Sequence, residues 1–279
     1  MRNNDLSVLC TKALELGIES DYVRVLIRKR HLLPTASATH LEVWPWPVKV
    51  YTFGRFAVAK DGSPITFTGK TQKRPLDLLK IVIAFGGREV SQTRIIDALW
   101  PEADGDSAIA AFNMALKRLR EMLGHPDAVL LSERKFTLNF QLCWVDVWVF
   151  ERAISHTQPT AADLVLSLYH GPFLGDDEQA WSISIRERLH ASFVEHVQVV
   201  GKELEASGDW AKAAHWYQRG LRPNDLVEQF YQRLMVCQYQ LGHRAEVLAT
   251  YQRCKKVLQI HLQIAPSATT EKLYRTISA

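Results

Sequence analysis

A short internal repeat in the C-terminal part of the chain restricts the possible folds more than any other feature. The segment SGDWAKAAHWYQRGL, which starts at residue 207, aligns without gaps with LGHRAEVLATYQRCK, which starts at residue 241. Gly208 and Tyr217 of the first copy therefore have their counterparts in Gly242 and Tyr251, 34 residues later. A unit of this length accommodates two helices and a turn, and such units bury their apolar faces by stacking on one another. The repeat predicts a stack of antiparallel helices.

The period of 34 residues is that of the tetratricopeptide motif, and the small and aromatic positions agree with it. Gly201, Gly208 and Ala213 are small, which lets two antiparallel helices approach closely, and Tyr217 fills the gap to the next pair. Apolar residues recur at helical spacing through this whole part of the chain. We predict an α-helical, tetratricopeptide-like domain over residues 160–279.

The N-terminal segment has a different organisation. Residues 1–33 show helical spacing on both sides of Gly17, which predicts a pair of helices. Three prolines and several small polar residues between Leu33 and Pro47 favour a linker, which we place at residues 34–46. The pattern leaves open whether residues 1–33 complete a domain or are the end of a larger upstream domain.

Residues 47–155 change period several times. The stretch VKVYTFGRFAVAKDGSPITFTG alternates as β-strands do. Three helices are predicted next: one starting near Pro75, one capped by Ser91 and ending before Pro101, and one capped by Asp106 or Ser107 and ending at Gly124. Two short strands around the polar turn SERK complete the region. Strands, three helices and a hairpin are the order of a winged helix-turn-helix domain. We predict a mainly α chain with a small β component, in which this domain precedes the tetratricopeptide-like one.

The third of these helices, AFNMALKRLREML, has two chemically different sides. A helical wheel places Ile109, Phe112, Leu116, Leu119 and Leu123 on a core-facing stripe. The opposite side carries Ala110, Asn113, Met114, Lys117, Arg118 and Glu121, with Arg120 at its margin. Asn pairs with adenine, Arg and Lys reach guanine or phosphate, and small apolar groups contact base methyls. This side of the helix therefore suits contact with DNA; an ordinary solvated basic face is the alternative for this helix taken alone.

Basic residues elsewhere in residues 47–155 are candidates for contacts with the DNA backbone. Lys70, Lys73 and Arg74 precede the first helix, Arg120 borders the third, and Arg134 and Lys135 lie at the tip of the predicted wing. The positive charge is modest, since the whole chain has a formal net charge of +4 and residues 46–155 hold 15 Lys and Arg against 12 Asp and Glu. The charge balance is therefore only suggestive of a nucleic-acid partner.

The sequence resembles a known family, the SARP-like bacterial transcriptional activators. Residues 48–152 are similar to their OmpR-type winged helix through VKVYTFGRFAVAKDGSPI, REVSQTRIIDALWP, AFNMALKRLREMLG and CWVDVWVFERAI. Residues 160–279 are similar to the bacterial transcriptional activator domain through LYHGPFLG, the repeat and PSATTEKLYRTI. The resemblance implies that Asn113, Met114, Lys117 and Arg118 contact bases and that Arg94 and Trp100 meet phosphate. It also implies that the helical domain supports activation and self-association. The turn SERK lacks the glycine that is common in such wings, which puts the placement of Arg134 in doubt.

Other functional classes lack support in the sequence. The four cysteines are widely separated and lie among apolar residues, which is typical of buried thiols, and no cofactor or metal site is predicted. No apolar run reaches the roughly 18 to 20 residues of a membrane span, and no secretory signal is evident, so we expect a cytoplasmic protein. GKT at residues 69–71 resembles a phosphate-binding loop, but Pro64 occupies the position of the required glycine.

We therefore predict a non-enzymatic, DNA-binding transcriptional activator, with double-stranded DNA, RNA polymerase and a second copy of the chain as expected partners. Two alternatives remain at this point. One is a protein–protein adaptor whose winged helix does not bind DNA, and the other is a module that senses a small-molecule effector in the groove of the repeats.

Overall fold

The computed structural model describes residues 3–66, 73–155, 159–177 and 179–278. It is mainly α-helical with a small β component, as predicted. The chain divides into two compact units: Met1–Val149 with Asp177–Ile185, and Phe150–Asp176 with Arg186–Ala279. In the described residues, no helix is long and apolar enough to span a membrane.

The first unit begins with two helices, α1 (Asn3–Glu15) and α2 (Ser20–Lys29). Gly17 lies between them with a φ of 69°, a left-handed conformation that glycine adopts readily. The segment predicted as a linker contains a short 3-10 helix, Ala36–His40. It differs from an exposed linker because Trp44 and Trp46 are buried in the same unit.

A four-stranded sheet follows, made of β1 (Val48–Tyr51), β2 (Ala57–Lys60), β3 (Ser63–Pro64) and the more distant β7 (Cys143–Val145) in the order β3-β2-β1-β7. β1 is antiparallel to β2 and parallel to β7. The parallel pair is held at its end by the buried carboxylate of Asp146. The Thr52 and Phe53 amides donate to its Oδ2 (2.6 and 3.0 Å), and the Thr52 hydroxyl and the Val147 amide donate to its Oδ1 (2.6 and 2.7 Å).

Between β3 and β7 lie the helices and the hairpin that the sequence predicts. They are α3 (Lys73–Ala84), β4 (Val90–Ser91), α4 (Gln92–Leu99), α5 (Gly105–Leu123), β5 (Val129–Ser132) and β6 (Lys135–Leu138). β4, β6 and β5 form an antiparallel three-stranded sheet. The helices α3 and α5 and the hairpin share one core. Its fully buried side chains include Leu78 and Ile81 of α3, Phe112 and Leu119 of α5, and Phe136 of β6.

The second unit is helical. Its elements are α6 (Asp146–Ser155), which begins at the end of the first unit, α7 (Pro159–Leu168), α8 (Ile183–Ala206), α9 (Trp210–Gly220), α10 (Glu228–Gln240), α11 (Arg244–Leu262) and α12 (Ala268–Ser278). Gly208 and Gly242 lie in the turns before α9 and α11 with φ of 76° and 77°. A Cβ at Gly201 would lie 2.3 Å from the Tyr217 ring. The repeat thus works by close helix packing, as its small and aromatic positions predict.

Candidate nucleic-acid interface

α5 is the element on which the candidate interface is built. The Asp104 carboxylate accepts a hydrogen bond from the Ser107 amide (2.8 Å) and caps the helix, so the cap lies before the predicted Asp106 or Ser107. The earlier cap follows from geometry, because a capping side chain bonds the amide about three residues ahead and Asp104 stands at that distance from Ser107. Gly124 ends the helix in a left-handed conformation, as predicted.

The buried side of α5 differs from the predicted stripe at one residue. Phe112, Leu116, Leu119 and Leu123 are buried, whereas Ile109 is 45% exposed, and its expected place in the core is wrong. The buried side also includes Ala108 and Ala115. The helix is therefore rotated so that its two small residues contact the core closely and the larger Ile109 lies at the edge of the exposed side.

All four residues expected to contact bases lie on the exposed side of α5. Asn113, Met114, Lys117 and Arg118 are exposed, and Met114 has 51% of its surface accessible. The Lys117 ammonium lies 4.0 Å from the Glu121 carboxylate, but both side chains are well solvated, so this ion pair holds the lysine only weakly. Three of the four side chains can donate hydrogen bonds or charge to an external partner.

Arg120 lies at the margin of the exposed side and is bonded within the unit. Its Nε and Nη2 both donate to the Val129 carbonyl of β5, at 3.2 and 3.0 Å. The side chain therefore fastens the C-terminal half of α5 to the hairpin. This geometry favours a positioning role over the expected backbone contact.

The hairpin between β5 and β6 forms the wing. Ser132 pairs with Lys135, which leaves a two-residue turn whose members, Glu133 and Arg134, have φ of 50° and 59°. A turn with two left-handed residues matches the twist of a hairpin, so the wing is tight even though it contains no glycine. Arg134 is exposed at the tip, and the Lys135 ammonium lies 3.2 Å from the Glu89 carboxylate.

The basic residues before and within the first two helices have mixed environments. Lys73 is exposed at the start of α3. Arg74 donates to the Leu99 carbonyl (3.1 Å) and lies over the Trp100 ring. Arg74 and Trp100, both expected to contact the DNA backbone, therefore lie together at the end of α4. The Arg94 guanidinium stacks on Phe85, 3.7 Å from the ring centre, and remains exposed. Lys70 lies outside the described residues, as does GKT at 69–71.

The loop that precedes α5 and the first turn of α5 are acidic. Glu102, Asp104 and Asp106 are all exposed there. Carboxylates repel phosphate, so the N-terminal end of α5 is unsuited to a contact with the DNA backbone. The cations available for phosphate are at the C-terminal half of α5, on the wing and on α3 and α4.

The second unit holds a separate groove. A cavity of about 970 Å³ is bordered by α8 and α9, with Val199, Leu204 and Trp216 among its apolar residues. His196 also lines it, and the Nε2 atom of this side chain is buried without a hydrogen-bond partner among the described residues. No group of three His, Cys, Asp or Glu in the described part of the chain is arranged to hold a metal ion.

Comparisons with known proteins give consistent results. Residues 145–278 match the bacterial transcriptional activator domain family. The chain is 24% identical over 228 residues to the regulatory protein AfsR of Streptomyces griseus; the aligned part covers 77% of this chain and 23% of AfsR. The chain therefore spans about a quarter of the length of that relative.

A solved structure shares the fold. EmbR of Mycobacterium tuberculosis, in complex with a low-affinity phosphopeptide, superimposes with a TM-score of 0.53 at 19% sequence identity. The superposition covers 83% of this chain and 65% of that chain. At this identity the likeness concerns the fold alone.

Proposed function

We propose that the chain is a SARP-like bacterial transcriptional activator, which the family match of residues 145–278 and the likeness to AfsR support, and that it binds double-stranded promoter DNA with α5 in the major groove. The observation that carries the proposal is the exposed side of α5, which presents Asn113, Met114, Lys117 and Arg118 opposite a fully buried stripe. An α-helix fits the major groove, where each base pair offers a distinct pattern of donors, acceptors and methyl groups.

Other exposed cations of the same unit supply contacts to phosphate. Lys73, Arg94, Arg134 and Lys135 are exposed on α3, on α4 and on the wing, within the same compact unit as α5. Arg74 and Trp100, which contact each other at the end of α4, supply a further contact to phosphate. Each neutralised phosphate releases counterions, so affinity falls with salt in proportion to the number of contacts.

Binding to DNA at two salt concentrations tests the proposal. The wild-type chain is titrated against a fluorescent random duplex at 50 and 200 mM salt, with anisotropy as the readout. Four or five phosphate contacts predict a slope of about −4 for the logarithm of affinity against the logarithm of salt, a loss of roughly 100-fold or more. Absent or salt-independent binding would support an adaptor whose winged helix docks on protein, in keeping with the modest net charge of +4.

Variants on α5 locate the contact. Lys117→Ala and Arg118→Ala should each weaken binding, and Arg118→Ala should also relax sequence preference, because guanine is the usual base partner of arginine. Lys255→Ala is the matched control, since Lys255 is an exposed lysine on α11 of the second unit. Wild-type affinity of both α5 variants would refute the assignment of this face.

For the second unit we propose self-association or contact with a protein partner such as RNA polymerase. Stacked helical repeats present extended surfaces for this purpose. Sedimentation equilibrium of the full chain tests self-association directly. A monomer at all concentrations would leave partner contact as the role of this unit, whereas a thermal shift with a metabolite would indicate an effector in the groove.

A further inference from the structure

Large apolar side chains are exposed on the winged helix at few places. Between residues 73 and 138, all of which the structure describes, the exposed large hydrophobic residues are Ile109, Met114 and Leu130. Two of them are on α5 and the third is on the wing strand β5. Single exposed hydrophobic residues are common, but two of these three lie on the helix that is proposed to enter the major groove.

The exposed side of α5 also changes in character along its length. Its N-terminal half presents the uncharged Ile109, Ala110, Asn113 and Met114, after a first turn that carries the exposed Asp106. The C-terminal half presents Lys117 and Arg118 beside Glu121. At a rise of 1.5 Å per residue, the distance along the axis from Ile109 to Arg118 is about 13.5 Å, or roughly four base pairs.

The two halves suit different parts of the duplex. In helix-turn-helix proteins, the N-terminal residues of the recognition helix contact base edges. Apolar side chains contribute there by contacting the C5 methyl group of thymine, while an amide such as that of Asn113 can pair with adenine. The acidic residues before Ile109 disfavour phosphate at this end of α5, whereas the cations of the other half favour it.

We propose that Ile109, Ala110 and Met114 read thymine methyl groups, so that the recognised site holds A·T pairs under the N-terminal half of α5. This inference rests on the proposed function, and it adds Ile109 as a specificity-determining residue. The apolar side chains and Asn113 together distinguish A·T from G·C pairs without any charged contact.

Replacement of thymine by deoxyuridine tests the inference, because it removes one methyl group and changes no hydrogen bond. A bound sequence is first obtained by selection from a random duplex library. Each thymine of that sequence is then replaced in turn, and affinity is measured by anisotropy. We expect a loss of about fourfold at each contacted thymine, which corresponds to the roughly 0.8 kcal/mol of one buried methyl group.

Variants connect the methyl groups to the residues. Ile109→Ala and Met114→Ala should bind the thymine duplex more weakly than the wild type. For each variant, replacement of at least one thymine by deoxyuridine should no longer reduce the affinity. Alanine is a good helix former, so both variants should retain their helical content by circular dichroism. Leu248→Ala, which truncates a 48% exposed leucine on α11, is the matched control and should respond to each replacement as the wild type does.

The outcomes separate the two proposals. Binding that depends on salt but is equal for thymine and deoxyuridine duplexes would overturn this inference and leave DNA binding intact. Unchanged methyl sensitivity in both α5 variants would overturn the assignment of the residues. Absence of binding to every duplex would overturn the proposed function itself.

Discussion

Replacement of Arg120 by methionine distinguishes a positioning role from a contact with DNA. Methionine keeps most of the aliphatic stem but removes both hydrogen bonds to the Val129 carbonyl (3.2 and 3.0 Å). Hydrogen bonds from a charged donor contribute about 1.5 to 3 kcal/mol. Because both bonds share one acceptor, we expect a loss of about 2 kcal/mol in the free energy of unfolding, or a urea midpoint about 1 M lower.

The salt dependence of DNA binding supplies the second readout. If Arg120 holds α5 against β5 and does not touch phosphate, the slope of log affinity against log salt should equal that of the wild type. Lys73→Gln is the matched control: Lys73 is one of the cations proposed to contact phosphate, so its replacement should reduce the slope by about 0.9. Its side chain is exposed, so the urea midpoint should hardly change. A smaller slope for Arg120→Met with an unchanged midpoint would refute the positioning role.

Four further predictions concern stability, and urea denaturation checks each of them. Asp146→Ala should cost about 3 to 5 kcal/mol because it leaves four buried donors without their acceptor, and a loss below 1 kcal/mol would contradict that role. Burial raises the pKa of Asp146 to about 6, above its unfolded value near 3.9. The folded chain thus binds this proton more tightly, and the stability of the wild type relative to Asp146→Asn should rise as pH falls from 7 towards 4; a difference independent of pH would exclude the shift. Glu133→Asn should stabilise the wing by about 1 kcal/mol, since asparagine tolerates the left-handed conformation better, and an unchanged or lower urea midpoint would contradict this reading of the turn. Gly201→Ala should cost about 1 to 3 kcal/mol through overlap with Tyr217, and an unchanged midpoint would show that the two helices separate freely.

Much of the fold follows from periodicity. The 34-residue repeat predicted the packing of the second unit, and Gly208, Gly242 and Tyr217 occupy the positions that the repeat assigns to them. The order of strands, helices and hairpin predicted the first unit. The segment before β1 is predicted as a linker because prolines and small polar residues dominate it. Its two tryptophans, Trp44 and Trp46, are nevertheless buried and anchor the segment to the first unit.

The candidate site could be predicted in part. A helical wheel separates the two sides of α5, but it does not give the distance between each residue and the core. Ala108 and Ala115 are small enough to lie against the core, and this rotates Ile109 to the edge. The contact of Arg120 with Val129 depends on the position of β5 against α5, a tertiary relation that local sequence does not contain. The residues proposed to face DNA are exposed, and their contacts stay predictions.

Chemical protection of a selected duplex tests the central claim, that α5 reads base edges in the major groove. Dimethyl sulfate methylates guanine N7 in the major groove and adenine N3 in the minor groove. With saturating protein, we predict protection of guanine N7 within a stretch of about four base pairs, and loss of that protection in Arg118→Ala. Full reactivity of every guanine N7 in the bound duplex, or protection confined to adenine N3, would contradict the account.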